Sequence, residues 1–483
     1  MITEPQVLAR NTSYFTLALV AQKVISFLYF TFLARTLGPE NIGRYVLAIS
    51  ITTIFSILLD VGLAQVLIRE VARDQTLAQK YFSLTVGFKL VASLVVVGLV
   101  YLTVNALGYP TLTKELVYIA CAVMVLDSFV LSAYSTIRGF HTLTWESVGT
   151  VGVQATLAVT GFIVSRFTHN LRWFMFALVL AVAANAIYSL SQLGFRFKVK
   201  FQPMFNWQGW RKLFIISWPF ALAGVLTRIF GYSDSVLLSL LSTERSVGIY
   251  SVAYKITFAL QFIPTAFAAS LFPGFSVYFV TAPQKMADTF MRAIIYLTAI
   301  ATPVSLGIIS LAPEIISTIY PKFTDAIVPL QILIFSLIFL FITFPVGSLL
   351  PACNRQERNT FNLGLAAVAN IVFNLWLIPL WGPTGAAIAS LLSTTVLLVA
   401  GWVVVERLVD YDHKFLFTRL FKILCAGVLM SLLVWLVKPW LNFVLVIPLA
   451  ALWYLFLLIL FKGVTWEELS FFWNIILRKK SAV

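Results

Sequence analysis

Charge is scarce in this sequence. Asp, Glu, Lys and Arg together make up 11% of its 483 residues, against about a quarter in an ordinary soluble domain. Such a deficit excludes a water-soluble globular protein. Cysteine is scarce too: Cys121, Cys353 and Cys425 all fall in or beside apolar runs, with no CxxC and no Cys/His spacing, so neither a zinc site nor a disulfide framework is expected. The three histidines, His141, His169 and His413, are scattered among loops. No GxxxxGK[ST] loop is present, which argues against direct use of ATP. Long polar loops are missing as well, since no connection between apolar runs is longer than the stretch 196–212. An extramembrane catalytic domain has no place to fit, and the chain is expected not to be an enzyme and to hold no metal or organic cofactor.

What the sequence has instead is 60% hydrophobic residues, gathered into runs of about 20, the length that crosses a bilayer as a helix. The expected fold class is an all-α multi-pass membrane protein with about fourteen transmembrane helices, near 12–35, 45–68, 81–105, 114–137, 147–166, 173–195, 213–240, 249–275, 290–312, 327–351, 361–380, 384–406, 417–437 and 441–461. The polar opening MITEPQVLAR, followed by a run too long for a signal-peptide core, is read as carrying no cleavable signal. The net charge of +15 does not mark a nucleic-acid binder, because the basic residues are spread over many short loops. With an even helix count and the N-terminus inside, 22 of the 34 Lys and Arg fall in inside segments and 8 in outside ones. This bias predicts that both termini are cytoplasmic, in the plasma or inner membrane.

The chain also contains itself twice. When Lys23 is laid on Arg228 without gaps, Gly43 falls on Gly248, Tyr45 on Tyr250 and Ala48 on Ala253. Both copies are apolar runs with one basic residue near the middle, then a polar loop, then Gly-x-Tyr and another apolar run. Paired polar membrane segments in internal repeats are how many transporters build their sites. The predicted organisation is therefore two pseudo-symmetric six-helix lobes, 1–195 and 213–406. A basic cytoplasmic linker at 196–212 joins them, and helices thirteen and fourteen with a tail make up 407–483. In the linker, Trp207 and Trp210 beside Arg and Lys are expected to anchor at the lipid surface. The tail, with Trp466, Glu467, Glu468 and then RKK, reads as a short surface helix with a basic end.

A cation in mid-membrane costs about 2.5–3.5 kcal/mol on insertion scales, so its presence points to function. Lys23 and Arg228, at equal depth in the two copies, are the candidate central-cavity cations for an anionic substrate. Lys255, in the outer third of helix eight, joins them. Arg offers a fork that matches phosphate oxygens, and Lys a point charge. Around Arg228, the residues Ser217, Ala221, Gly224, Gly231, Tyr232, Ser235 and Ser239 recur at helical spacing as a small-and-polar stripe. Gly224, Tyr232 and Ser235 are expected to line the cavity, together with Asn370 and Asn374, one turn apart in helix eleven. Lys89, near the inner end of an apolar helix, is expected to snorkel to the interface. The mid-helix acids Asp60, Asp127 and Asp234 are candidate coupling acids for Na+ or H+, or structural counter-ions for the buried cations.

Four stretches resemble the polysaccharide flippases of the multidrug/oligosaccharidyl-lipid/polysaccharide (MOP) exporter superfamily. They are LARTLGPENIGRY at 33–45, LLDVGLAQVLIREVAR at 58–73, LLPACNRQERNT at 349–360, and the N-x3-N-x4-P-x2-G-x2-GAA pattern from Asn370 to Ala387. The resemblance implies two six-helix lobes around a cavity, alternating access, and helices one, two, seven and eight bordering the cleft. It implies a polyprenyl-diphosphate-linked oligosaccharide as cargo, such as an O-antigen or exopolysaccharide repeat unit, moved to the outer leaflet with its lipid tail left in the bilayer. Helices thirteen and fourteen are then expected to form a lipid-facing groove with part of the second lobe. Expected partners are that lipid-linked sugar and membrane lipids, with contacts to a polysaccharide polymerase or glycosyltransferases, in a monomer that binds no nucleic acid. Other readings are a drug/cation antiporter of the same superfamily, a lipid II flippase and a membrane-embedded polymerase. Basic rather than acidic central residues count against the antiporter. Helix one's single Lys departs from the arginine-rich cavity of lipid II flippases, and the short outer loops count against a polymerase.

Overall fold

A helix rises about 1.5 Å per residue, and this sets a limit on the longest apolar stretches. Phe15–Asp60 has 46 residues and Gln356–Val405 has 50; straight, each would measure about 70 Å, twice the ~30 Å hydrocarbon core. The computed structural model, which describes residues 4–468, folds each of them in two. The first turns at Gly38, whose φ of 77° lies in the left-handed region, and the second at Gly382, with φ 53°. Among the described residues, twelve helical spans are long and apolar enough to cross a membrane. Counting each folded span as two gives fourteen apolar segments, the number expected from the sequence. The described residues contain fifteen α-helices and no strand, and their exposed surface is studded with large apolar side chains such as Leu94, Phe195 and Leu452, as lipid contact requires. The basic end of the C-terminal tail lies outside the described residues.

Packing divides the chain into two compact units, Met1–Ser251 with Asn374–Pro383, and Val252–Phe373 with Thr384–Val483. The first contains α1 (Glu4–Phe55), α2 (Ile57–Asp60), α3 (Leu63–Arg73), α4 (Ala78–Ala106), α5 (Thr111–Gly139), α6 (Thr144–Phe167), α7 (Leu171–Phe197) and α8 (Trp207–Leu241), with the start of α9 (Glu244–Leu260). Its core joins Val71 of α3, Phe82 and Val86 of α4, Phe129, Ala133 and Ile137 of α5, and Ala186 and Leu193 of α7. The second contains α10 (Phe262–Thr281), α11 (Pro283–Ile319), α12 (Ile327–Ala352), most of α13 (Gln356–Val405), α14 (His413–Val437) and α15 (Phe443–Leu460). There Phe290 and Ile294 of α11 pack with Leu349 of α12, Met430 of α14 and Tyr454 of α15.

The repeat is visible in where the helices break. Gly38 corresponds to Thr243, and α8 stops at Leu241 before α9 starts at Glu244. Ser56, the gap between α1 and α2, corresponds to Gln261, the gap between α9 and α10. Helix two is thus not the continuous 45–68 rod expected from hydropathy. It is interrupted at Ser56, and again at Val61 and Gly62, both with positive φ. Within the first unit the two copies also touch reciprocally. A Cβ on Gly43 would meet the Glu244 carbonyl, and a Cβ on Gly248 would meet the Pro39 carbonyl, its counterpart in the other copy. Arg44 reinforces the crossing, its Nε donating to Glu244 at 2.6 Å, while the Thr113 hydroxyl donates to the same carboxylate.

The linker differs from a lipid-surface anchor. Lys200 exchanges two backbone hydrogen bonds with the Gln79 side chain, at 2.7 and 3.0 Å, and the Met204 N–H donates to the Ser83 carbonyl at 2.9 Å. The Trp210 indole donates to the Leu84 carbonyl at 3.0 Å and packs edge-on against Phe88. Its N–H is satisfied inside the protein, so Trp210 is a packing residue. Trp207 alone, 74% exposed, keeps the surface position expected of both.

Gly43→Val and Gly248→Val each place a side chain against a main-chain carbonyl that has no rotamer with which to yield. Each is expected to cost on the order of 1–3 kcal/mol, read as a fall of several degrees in thermal unfolding in detergent. Gly98→Ala, in mid-α4 where an added Cβ meets nothing within 4 Å, is the control and should leave the transition unchanged or raise it slightly, as alanine is the better helix former.

Candidate functional site: a charged cavity in the first unit

The broken end of helix two opens a polar cavity inside an apolar body. It has a volume of about 120 Å³, and its wall is built by α1 (Thr52, Thr53), the break at Ser56, Asp60 of α2, Asp127 and Ser128 of α5, and Arg228 of α8. By the rule that one water needs about 10–15 Å³ of such volume, several fit. Gly62 lets α8 approach the break. Its φ of 77° suits glycine, and a Cβ there would come within 2.6 Å of the Ser217 carbonyl.

Three ionisable groups, Asp60, Asp127 and Arg228, line this cavity, and a fourth, Lys89, is buried behind Asp60. Lys89 of α4 is 0% exposed, and its ammonium donates to Asp60 Oδ1 at 3.2 Å and to the Ser128 carbonyl at 2.8 Å. It does not snorkel. The α1–α2 break carries Asp60 to within reach, and a local ion pair replaces the route to water. Arg228 donates from Nη1 to Ser56 Oγ at 2.6 Å. Arg228 also lines the cavity, and one such bond leaves most of the five guanidinium donors without a hydrogen-bond partner among the described residues. Asp127 is exposed to the cavity and within Coulombic reach of both Arg228 and Lys89. Of the three acids singled out in the sequence, Asp60 and Asp127 therefore stand on the cavity wall. The wall is mixed in charge and not basic.

The remaining candidates lie elsewhere. Lys23 is half-buried in α1 and is not among the residues lining this cavity, and Lys255 is half-buried in α9. The Asp234 carboxylate is buried, accepting from the Tyr250 hydroxyl and from Asn374 Nδ2, the latter at 2.7 Å. Asn370 donates to Ser393 Oγ at 3.3 Å. At 1% and 0% exposure, Asn370 and Asn374 are packed inside the protein and are not among the residues lining this cavity. On α8, Tyr232 is 37% exposed, Ser235 is half-buried, and Gly224 and Gly231 border open space. Hydropathy had hidden Lys89. The signal is a cation on an apolar helix together with an acid, Asp60, within the preceding apolar run, but pairing them requires the fold.

Breaking a buried ion pair by removing one partner costs roughly 3–5 kcal/mol, because the other charge is left bare, whereas removing both costs far less. Lys89→Met and Asp60→Asn are each expected to lower thermal stability in detergent strongly, and the double variant to recover most of the loss. Additive losses would show that the pair carries no coupling.

The pattern of one protein family, described as "Polysaccharide biosynthesis protein", matches residues 8–279. A probable low-salt glycan biosynthesis flippase, Agl15, of Haloferax volcanii is 24% identical over 393 residues, 80% of this chain and 81% of its own. Among solved structures, the lipid II flippase MurJ in an inward closed conformation superposes with a TM-score of 0.77 at 16% identity, over 92% of this chain and 98% of its own. An inward-facing multidrug resistance MATE transporter of the MOP superfamily superposes with a TM-score of 0.65 at 14% identity, over 81% and 98%. The fold is thus one that those transporters share, and the family match covers more than half of the sequence. This chain, with its charged cavity set in a helical membrane body, belongs to the polysaccharide biosynthesis protein family.

Proposed function

We propose that the protein is a flippase. It moves polyprenyl-diphosphate-linked oligosaccharide repeat units from the cytoplasmic to the outer leaflet of the cell membrane by alternating access, for surface polysaccharide synthesis. The observation that carries this reading is Arg228. Its guanidinium stands in a hydroxyl-lined cavity deep in an apolar body, with donors left to grip a planar or tetrahedral oxyanion. A cavity of about 120 Å³ suits the charged head of such a lipid; the sugar needs a wider state. The glycan-flippase name of the Haloferax relative supports the same class of cargo.

In this proposal Lys23 and Lys255 lie along the path of the anionic group. The lobes 1–195 and 213–406 alternate about the linker 196–212, with both termini cytoplasmic. Na+ or H+ couples through the acids Asp60, Asp127 or Asp234. Contacts with a polymerase or glycosyltransferases belong to the same proposal. A drug/cation antiporter is the second reading, favoured by one observation: two carboxylates, Asp60 and Asp127, stand on the cavity wall beside the arginine.

Proteoliposomes holding a polyprenyl-diphosphate oligosaccharide separate these readings. Wild type is expected to flip the lipid. Arg228→Ala should lower the initial rate about 10- to 100-fold, the equivalent of one charge-assisted hydrogen-bond pair, with Lys23→Ala a smaller fall. Arg228→Ala flipping at the wild-type rate would remove the anion seat from this cavity. Export of organic cations with no movement of any lipid-linked sugar would replace the flippase by the antiporter.

A further inference from the structure

The cavity's charges balance with no ligand present. Lys89 and Asp60 satisfy each other. That leaves Arg228 and Asp127, one cation and one anion on the same wall. Arg228 spends one nitrogen on Ser56. Asp127, among the described residues, accepts no hydrogen bond and presents its carboxylate to the cavity. Arg228 lines the same cavity as Asp127, and Lys89, bonded to the carbonyl of the neighbouring Ser128, already has a carboxylate of its own. An open carboxylate at this depth is costly unless it neutralises something, and the charge it faces without touching is Arg228.

We infer that Asp127 is a stand-in anion, balancing Arg228 while the carrier is empty and competing with the anionic group of the cargo for the same guanidinium. The inference rests on the flippase reading only for the identity of that cargo. Its physical content is simple. An unloaded transporter must change conformation with Arg228 still inside the low-dielectric body, and an uncompensated guanidinium there would raise the energy of every empty intermediate. Asp127 supplies the missing charge at a distance that leaves the donors open. When a phosphate oxyanion arrives it finds those donors free, but it must also come close to Asp127, so binding is weakened and release is eased. A residue placed only for packing would do neither.

The consequence is a split between affinity and turnover. With inorganic diphosphate as the probe and purified full-length protein, Asp127→Asn is expected to bind about tenfold tighter than wild type, the size of one screened like-charge repulsion at close range. The same variant should flip its lipid more slowly at saturating substrate, because release and the empty return both lose the counter-charge. In the Arg228→Gln background, Asp127→Asn should bring no gain in diphosphate affinity. Asp127→Ser, smaller and equally neutral, gives the same test should the asparagine fail to fold. Diphosphate binding that is unchanged or weaker in a folded neutral variant would overturn the inference, as would an equal gain with Arg228 removed. If the neutral variants gain affinity while wild type flips no lipid-linked oligosaccharide, the stand-in role stands and the flippase reading falls. If wild type flips and the variants gain nothing, the reverse holds.

Discussion

A charged side chain inside hydrocarbon has no water to share its field, so its counter-charge must come from the protein. Much of the first unit can be understood from that constraint. Lys89 is fully buried on α4, and only a carboxylate delivered to its ammonium makes the site tenable. Asp60 makes that delivery, and it can because helix two is broken at Ser56 and again at Val61 and Gly62. The same interruption that brings Asp60 to Lys89 also exposes Ser56 to Arg228 and leaves the cavity between them. Ion pair, break and cavity are therefore one arrangement. An unbroken helix two would have to be packed differently around Lys89.

The second constraint is closeness. α8 reaches the break because Gly62 has no side chain to fend off the Ser217 carbonyl, and the two repeat copies cross because Gly43 and Gly248 each leave room for the other's backbone. Small residues set how near helices come in a membrane, where apolar surface alone gives them little reason to associate. Close approach then permits the directional contacts, Arg44 and Thr113 on Glu244 at the crossing and the Trp210 indole on Leu84 at the linker.

Much of the architecture was legible in the sequence, for physical reasons. Apolar length counts bilayer crossings, and fourteen segments follow from it whether or not Gly38 and Gly382 are read as turns. The repeat was legible through Lys23/Arg228 and Gly43/Gly248, and Arg228 stood out because no packing argument explains an arginine at that depth. What hydropathy could not give was pairing. Lys89 looked like a snorkelling lysine because its partner is 29 residues away on another helix. The mixed charge of the cavity is hidden from the sequence for the same reason: Asp60 and Asp127 come to the wall beside Arg228 only through the fold. Asn370 and Asn374 have the spacing of a lining pair, and periodicity cannot tell a lining amide from one bonded to Ser393 or Asp234. Trp210 has the composition of an interfacial anchor, and its indole instead found a main-chain carbonyl.

The reciprocal glycine crossing bears on how such a molecule can diverge after duplication. Two copies of one segment are ordinarily free to accumulate changes separately. At Gly43 and Gly248 they are not, because each position forms the floor of the other's seat: Pro39 with Gly43 on one side, Glu244 with Gly248 on the other. A side chain gained by either copy evicts the backbone of its twin, so both must stay bare together. The flanking residues feel no such tie. Where one copy has Pro39 the other has Glu244, which serves as the acceptor for Arg44. Symmetry is held where the chains touch main chain to main chain and is released one side chain away.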